Sequence, residues 1–142
     1  MTAAPVFEHL TEGDVVAQRE LHFTRDRLVR YAGASGDFNP IHYRDDVAQS
    51  VGLPGVLAHG MLTMGAAGSV VTDWLGTAAW VRDYQSRFTR PVLVDANEGA
   101  TVAVTATVAA IDVEARTARI DLKVVFEGST VLGKAQLLAA FA

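Results

Sequence analysis

Apolar and polar residues alternate through much of the second half of the chain. In Thr101–Ile111, Val102, Val104, Ala106 and Val108 share one parity, and Thr101, Thr105 and Thr107 the other. A two-residue period puts the two sets on opposite faces of a strand. Ile120, Leu122, Val124 and Phe126 alternate in the same way with Arg119, Asp121 and Lys123, after a polar, turn-like Asp112–Arg116. Gly128-Ser129 predicts a hairpin turn, from which Val131–Phe141 returns as another strand. Trp80–Arg90 reads as a strand stopped by Pro91, and Val15–Phe23 as one with weaker alternation.

Helical patterns occupy the space between. Thr24 has the character of an N-cap, and Arg25–Ala34 predicts a short helix burying Leu28, Tyr31 and Ala32. Gly33, Gly36, Asn39 and Pro40 break it into a loop, and Asp45–Val51 predicts a second helix ended by Gly52 and Pro54. Leu57–Leu75 carries small and apolar residues on every side, the mark of a helix surrounded by protein. At 1.5 Å per residue it would run about 28 Å. Gly65, Ala66, Ala67 and Gly68 would let other backbone approach it closely. A buried helix followed by an antiparallel meander is an α+β layout in which the sheet wraps the helix.

Composition narrows the field. The 142 residues suit one domain spanning the chain; a chain of this size buries roughly 68–70% of its unfolded surface. The formal charge is −4 and no Lys/Arg cluster appears, so nucleic acid is not an expected partner. There is no cysteine, which removes disulfides, thiol nucleophiles and thiolate metal sites and is compatible with a cytoplasmic setting. Met1–Leu10 has neither the basic nor the apolar region of a secretory leader, so none is expected. The apolar stretch at Met61–Leu75 falls short of the ~20 residues a membrane span needs, and is expected to be a core helix instead.

Chemistry concentrates in Tyr31-Ala32-Gly33-Ala34-Ser35-Gly36-Asp37-Phe38-Asn39-Pro40-Ile41-His42. On a continuous helix Asp37 and His42 would point about 140° apart. Pro40 fixes its own φ and drives Asn39 toward extended geometry, so the segment is a shaped loop able to turn both side chains into one pocket. A carboxylate beside an imidazole suits general acid–base work near neutral pH, as in removing water from a 3-hydroxyacyl thioester. Ala58-His59-Gly60-Met61 opens the long helix, where free N–H groups and the dipole favour an anion such as an enolate oxygen. Gly60 is the obvious donor, because the lack of Cβ admits substrate.

Spacing alone does not choose this reading over a plain one. Asp37 with Asn39-Pro40 also fits an Asx turn, with His42 an ordinary surface histidine. His59 is expected to orient the helix entrance rather than act as a second base, and His9 and His22 to be incidental. Tyr31, Trp74, Trp80 and Phe88 are expected in the core. His42 and His59 lack companions at metal-ligand spacing, and Ser35 and Ser69 lack a nucleophile elbow.

Resemblance adds to this reading. The Tyr31–His42 segment followed by Ala58-His59-Gly60-Met61 resembles the hydratase-2 motif of the MaoC-like (R)-specific enoyl hydratases, and Phe88-Thr89-Arg90-Pro91-Val92 is similar to that family's F-x-x-P-V segment. Asn39-Pro40-Ile41-His42, Val51-Gly52-Leu53 and Ala58–Gly65 look most like the β-subunit type of the mycobacterial-type (3R)-hydroxyacyl-[acyl-carrier-protein] dehydratase of fatty acid biosynthesis. The resemblance implies a single hotdog domain, an antiparallel sheet wrapped around a long helix, paired with a second hotdog subunit as a heterodimer or a homodimer. It implies a hydro-lyase acting on acyl-ACP or acyl-CoA with no metal or redox cofactor. Asp37 and His42 would be catalytic, the Gly60 N–H the oxyanion donor, and His59 and Asn39 substrate-binding neighbours. An (R)-specific enoyl-CoA hydratase and a non-catalytic acyl-binding subunit are the alternatives. Two departures from the family pattern stand out: Arg44 where an acidic residue is usual, and Val94-Asp95-Ala96 where Gly-Asp commonly follows.

Overall fold

The alternating segments pair into a sheet because each can bury only one face. The computed structural model describes residues 4–142. Strand β1 is Val15–Phe23, helix α1 Arg25–Ser35, α2 Asp45–Ser50, α3 Gly60–Leu75 and β2 Ala79–Phe88. Then follow β3 at Ala100–Asp112, β4 at Thr117–Phe126, the two-residue β5 at Ser129–Thr130, and β6 at Leu132–Phe141. The strands lie in the order β1-β3-β4-β6-β2, every pair antiparallel, with β5 on β4.

Val102, Val104, Ala106 and Val108 of β3 and Ile120, Leu122 and Val124 of β4 all face inward, as their parity predicts. Against them α3 sets Ala66, Ala67, Val70, Val71 and Leu75, so one side of the sheet is filled by the helix. This is the hotdog layout that the resemblance implies. None of the described helices is long and apolar enough to cross a membrane.

Several details differ from the sequence reading, each for a tertiary reason. The long helix begins at Gly60 rather than Leu57, because residues 56–58 are drawn into extended pairing with residues 92–94. Ala58 N–H donates to the Val92 carbonyl at 2.9 Å, and Val94 N–H to that of Val56 at 2.9 Å. Nor is α3 covered all round: Met61 is 58% exposed, so the sheet shields one side only. Trp80 and Phe88, expected in the core, are exposed, since β2 is an edge strand with neighbours on one flank. The last hairpin turns on Glu127 and Gly128, both at positive φ, one residue earlier than predicted. Thr24 holds the N-cap position, but its hydroxyl bonds the Asp26 carboxylate rather than the helix backbone.

Two aromatic side chains of β2 lock α3 in place. The Tyr84 hydroxyl donates to the Met64 carbonyl at 2.7 Å, and its ring lies where a Cβ on Gly68 would be 2.8 Å away. Burial raises the Tyr84 phenol to about 12, so it keeps its donor proton. Phe88 covers Gly60 as closely, with a ring carbon 2.9 Å from where a Cβ would stand. Gly68→Val should therefore push the Tyr84 ring off the helix and cost about 1–3 kcal/mol by denaturant unfolding, in the range of an overpacked core. Gly65→Ala, with open space at its Cβ position, should be neutral or stabilising in the same measurement.

Candidate active site

Helix α1 ends because Gly36 adopts a left-handed conformation, φ 78°, with its N–H on the Ala32 carbonyl. That conformation is cheap only for glycine, and it throws the chain into the loop that carries Asp37. Local side chains then shape the loop. Ser35 Oγ accepts from Asp37 N–H at 3.2 Å, and Asp37 Oδ1 accepts from Asn39 N–H at 3.2 Å. Asn39 Oδ1 accepts from Ile41 N–H at 3.3 Å and caps a single 3-10 turn, Pro40–His42. Asp37 therefore does form an Asx turn, yet with only one of its two oxygens.

The other oxygen faces His42. Asp37 Oδ2 and His42 Nε2 are 3.9 Å apart. His42 is no surface histidine, being 7% exposed, and its Nδ1 lies 2.7 Å from the Leu57 carbonyl oxygen. A carbonyl can only accept, so Nδ1 carries a proton and Nε2 is the nitrogen turned toward Asp37. The bond to Leu57 thus selects the tautomer a general base requires.

His59, only 1% exposed, stacks on His42 with centroids 3.8 Å apart and planes inclined by 23°. Its Nε2 donates to the Asp37 main-chain carbonyl at 3.1 Å, pinning the loop, while Tyr31 meets its ring edge-on. Its Nδ1 is buried without a partner. Burial lowers the His59 pKa below its ordinary 6.5; the bond to Asp37 opposes that shift, and the nearby His42 adds to it.

Asp37, Gly60, Met61, Phe88, Pro91 and Val92 line a cavity of about 410 Å³ beside the pair. Its walls are mainly apolar. Gly60 is the first residue of α3, so no carbonyl of its own helix lies in position to accept its N–H. Asp37 and Gly60 share the cavity wall, whereas His42 is not on it and stands next to it through Asp37, 3.9 Å away. Asn39 and His59, expected to touch substrate, are absent from the cavity wall, and their polar atoms serve the loop instead.

Asp37, His42 and His59 also offer ligand atoms within 4.8 Å of one another, companions that linear spacing does not reveal. His59 Nε2 and His42 Nδ1 are already committed to the Asp37 and Leu57 carbonyls, which leaves one nitrogen on each ring. Such a pair suits proton transfer better than a shared ion. Sequence reasoning missed the Leu57 carbonyl and Ser35, since neither a main-chain acceptor nor a lone serine has a side-chain signature.

Comparison with known proteins bears on the family and the fold. Residues 6–127 match the family described as MaoC like domain. A 3-hydroxyacyl-thioester dehydratase X of Mycobacterium tuberculosis is 41% identical over 83 residues, 58% of this chain and 29% of that protein. An (R)-specific enoyl-CoA hydratase of Rhodospirillum rubrum is 33% identical over 100 residues, covering 70% of this chain and 69% of its own. A solved structure titled MaoC-like dehydratase superposes with a TM-score of 0.91 at 33% identity, over 98% of this chain and 43% of that one. The match thus spans 29% and 43% of the length of two of these three relatives.

The His59 shift has a sign. Its folded value lies below its unfolded one, so the unfolded chain binds the extra proton first. That part of the stability is complete above pH 6.5 and falls as pH drops from there toward the folded value. Unfolding midpoints measured from pH 7.5 downward should decline across this window, and His59→Gln should flatten the decline.

Proposed function

The chain belongs to the MaoC-like domain family, and from that premise we propose that it is a hydro-lyase adding or removing water at C2–C3 of an acyl thioester. Two relatives are named a 3-hydroxyacyl-thioester dehydratase and an (R)-specific enoyl-CoA hydratase, and we assign to this chain the interconversion of a (3R)-3-hydroxyacyl and a trans-2-enoyl thioester. One observation carries the reading: His42 Nε2 faces Asp37 Oδ2 across 3.9 Å, and Asp37 shares a cavity wall with Gly60, the first residue of α3.

In the dehydrating direction His42 Nε2 takes the proton from C2. The electron pair moves onto the thioester oxygen, where the Gly60 N–H stabilises the charge. With Asp37 at the C3 oxygen, the pair passes that proton to the departing hydroxyl as the electron pair returns from the thioester oxygen to form the C2=C3 bond; the C3–O bond breaks, water leaves, and the pair ends in its starting state. Hydration is the reverse: water loses a proton to the pair, its oxygen joins C3, and the proton returns to C2. The roles of Asp37 and His42 can exchange, because a shared proton belongs to the pair. Donors preorganised for such an oxyanion are worth about 10²–10³-fold each. The apolar cavity supports a fatty chain as the acyl group, and a type II fatty acid synthesis dehydratase acting on acyl-ACP is the specific role we assign.

A second hotdog subunit fits the uncovered parts of this one. Met61 on α3 and Trp80 and Phe88 on β2 are all more than half exposed, and β2 has a free edge. Sedimentation of the purified chain, alone and with candidate partners, should show a two-subunit species; a fully active monomer would refute this.

Asp37→Asn and His42→Asn should lower turnover of enoyl thioesters by about 10²–10⁴-fold while leaving circular dichroism unchanged. Wild-type rates in both variants would end the proposal, and release of free thiol would point to hydrolysis instead.

A further inference from the structure

Arg25 is the first residue of α1, where a cation meets the positive end of the helix dipole. Placement against the dipole asks for another reason. Its Nη1 and Nη2 donate to the two carboxylate oxygens of Asp45 at 3.1 and 3.0 Å, a two-pronged contact. Its Nε donates to the Val94 carbonyl at 2.5 Å. Asp45 is likewise the first residue of α2, and its Oδ1 also accepts from Val56 N–H at 3.0 Å. Gly55 permits that approach, since a Cβ there would lie 3.1 Å from the same oxygen.

These contacts bracket the reacting groups. Asp37 and His42 both lie in the stretch of chain between Arg25 and Asp45, so the ion pair closes a loop around them. The extended segment at residues 56–58 is gripped on one flank by Val92 and Val94. On the other flank Leu57 N–H donates to the Ile41 carbonyl at 3.3 Å. The Leu57 carbonyl in that segment holds the His42 Nδ1 proton.

We propose that Arg25 and Asp45 are a positioning pair for His42. By fixing residues 56–58 between Val94 and the start of α2, they hold the Leu57 carbonyl where it keeps the proton on Nδ1 and the lone pair on Nε2. Neither residue lies on the wall of the cavity beside Asp37, so they act through Leu57. The paired guanidinium, with the Val56 N–H second, holds the Asp45 carboxyl below its ordinary range, consistent with a carboxylate that stays charged in this role. A planar fork does what a lysine point charge cannot, because it grips both oxygens and a carbonyl together.

This rests on the dehydratase reading for its kinetic arm only. Arg25→Lys and Asp45→Asn in the full-length protein should lower kcat on an enoyl thioester by roughly tenfold to a hundredfold. KM should stay within about threefold, as expected when transition-state geometry rather than binding is lost. Ring-nitrogen NMR should show His42 passing from the single Nδ1–H tautomer to a mixture of both. Asp73→Asn, which breaks the Arg19 ion pair toward the far end of α3, should do none of this. Unchanged tautomer and kcat in Arg25→Lys, which keeps the charge and folds if Asp45→Asn does not, would overturn the proposal. So would an equal kcat loss in Asp73→Asn. If the wild type turns over no thioester, the functional reading fails while the NMR arm still decides the positioning pair.

Discussion

The Leu57 carbonyl and the His42 ring share one proton, and the remainder of the site is arranged around that bond. A main-chain oxygen has no proton to give, so its 2.7 Å contact with Nδ1 leaves only one tautomer in place. The oxygen is in turn fixed by its own strand-like segment, which the pairing to residues 92–94 withholds from the helix that follows. Delaying the start of α3 to Gly60 is thus the same event as presenting the Leu57 carbonyl. It also makes Gly60 the first helical residue, on the same cavity wall as Asp37. One local choice of extended over helical backbone thus sets both the His42 tautomer and the position of the first α3 amide.

The Asp37 carboxylate divides its labour. Oδ1 closes the turn by accepting Asn39 N–H, and Oδ2 faces His42. An aspartate held by one oxygen keeps its second in a fixed direction, so structural and chemical duties reinforce one another. The stacked His59 completes the arrangement from behind. Burial opposes charge on its ring, and its hydrogen bond to the Asp37 carbonyl fastens the loop. His59 thus serves the loop rather than the cavity, stacked on His42 and bonded to the Asp37 carbonyl.

The hydrophobic pattern made much of the architecture legible. Valines at alternate positions in β3 and β4 were bound to face one way, and glycines and prolines bounded the loop of Asp37. Legibility stopped where tertiary contacts overrule local pattern. Leu57 and Ala58 have the composition of the helix they precede, and only their pairing with residues 92–94 excludes them. Trp80 and Phe88 belong in a core by size, yet an edge strand leaves them outside. The Arg25–Asp45 contact bridges residues too far apart for any local signature, and a main-chain acceptor such as Leu57 leaves none at all. Asn39 lies in the loop of Asp37, but its side chain turns to its own backbone.

The register of β2 against β6 slips between Val81 and Asp83 and again between Gln85 and Arg87. Bulges of this kind bend a strand and sharpen its twist, and on an open edge they spoil the flat template that successive chains would need to stack indefinitely. Here the free rim of the sheet can accept a counterpart shaped to the same irregular spacing, whereas endless fibrous growth would have to straighten it first. Two small faults in a hydrogen-bonded ladder thereby guard a sticky margin against amyloid-like accretion.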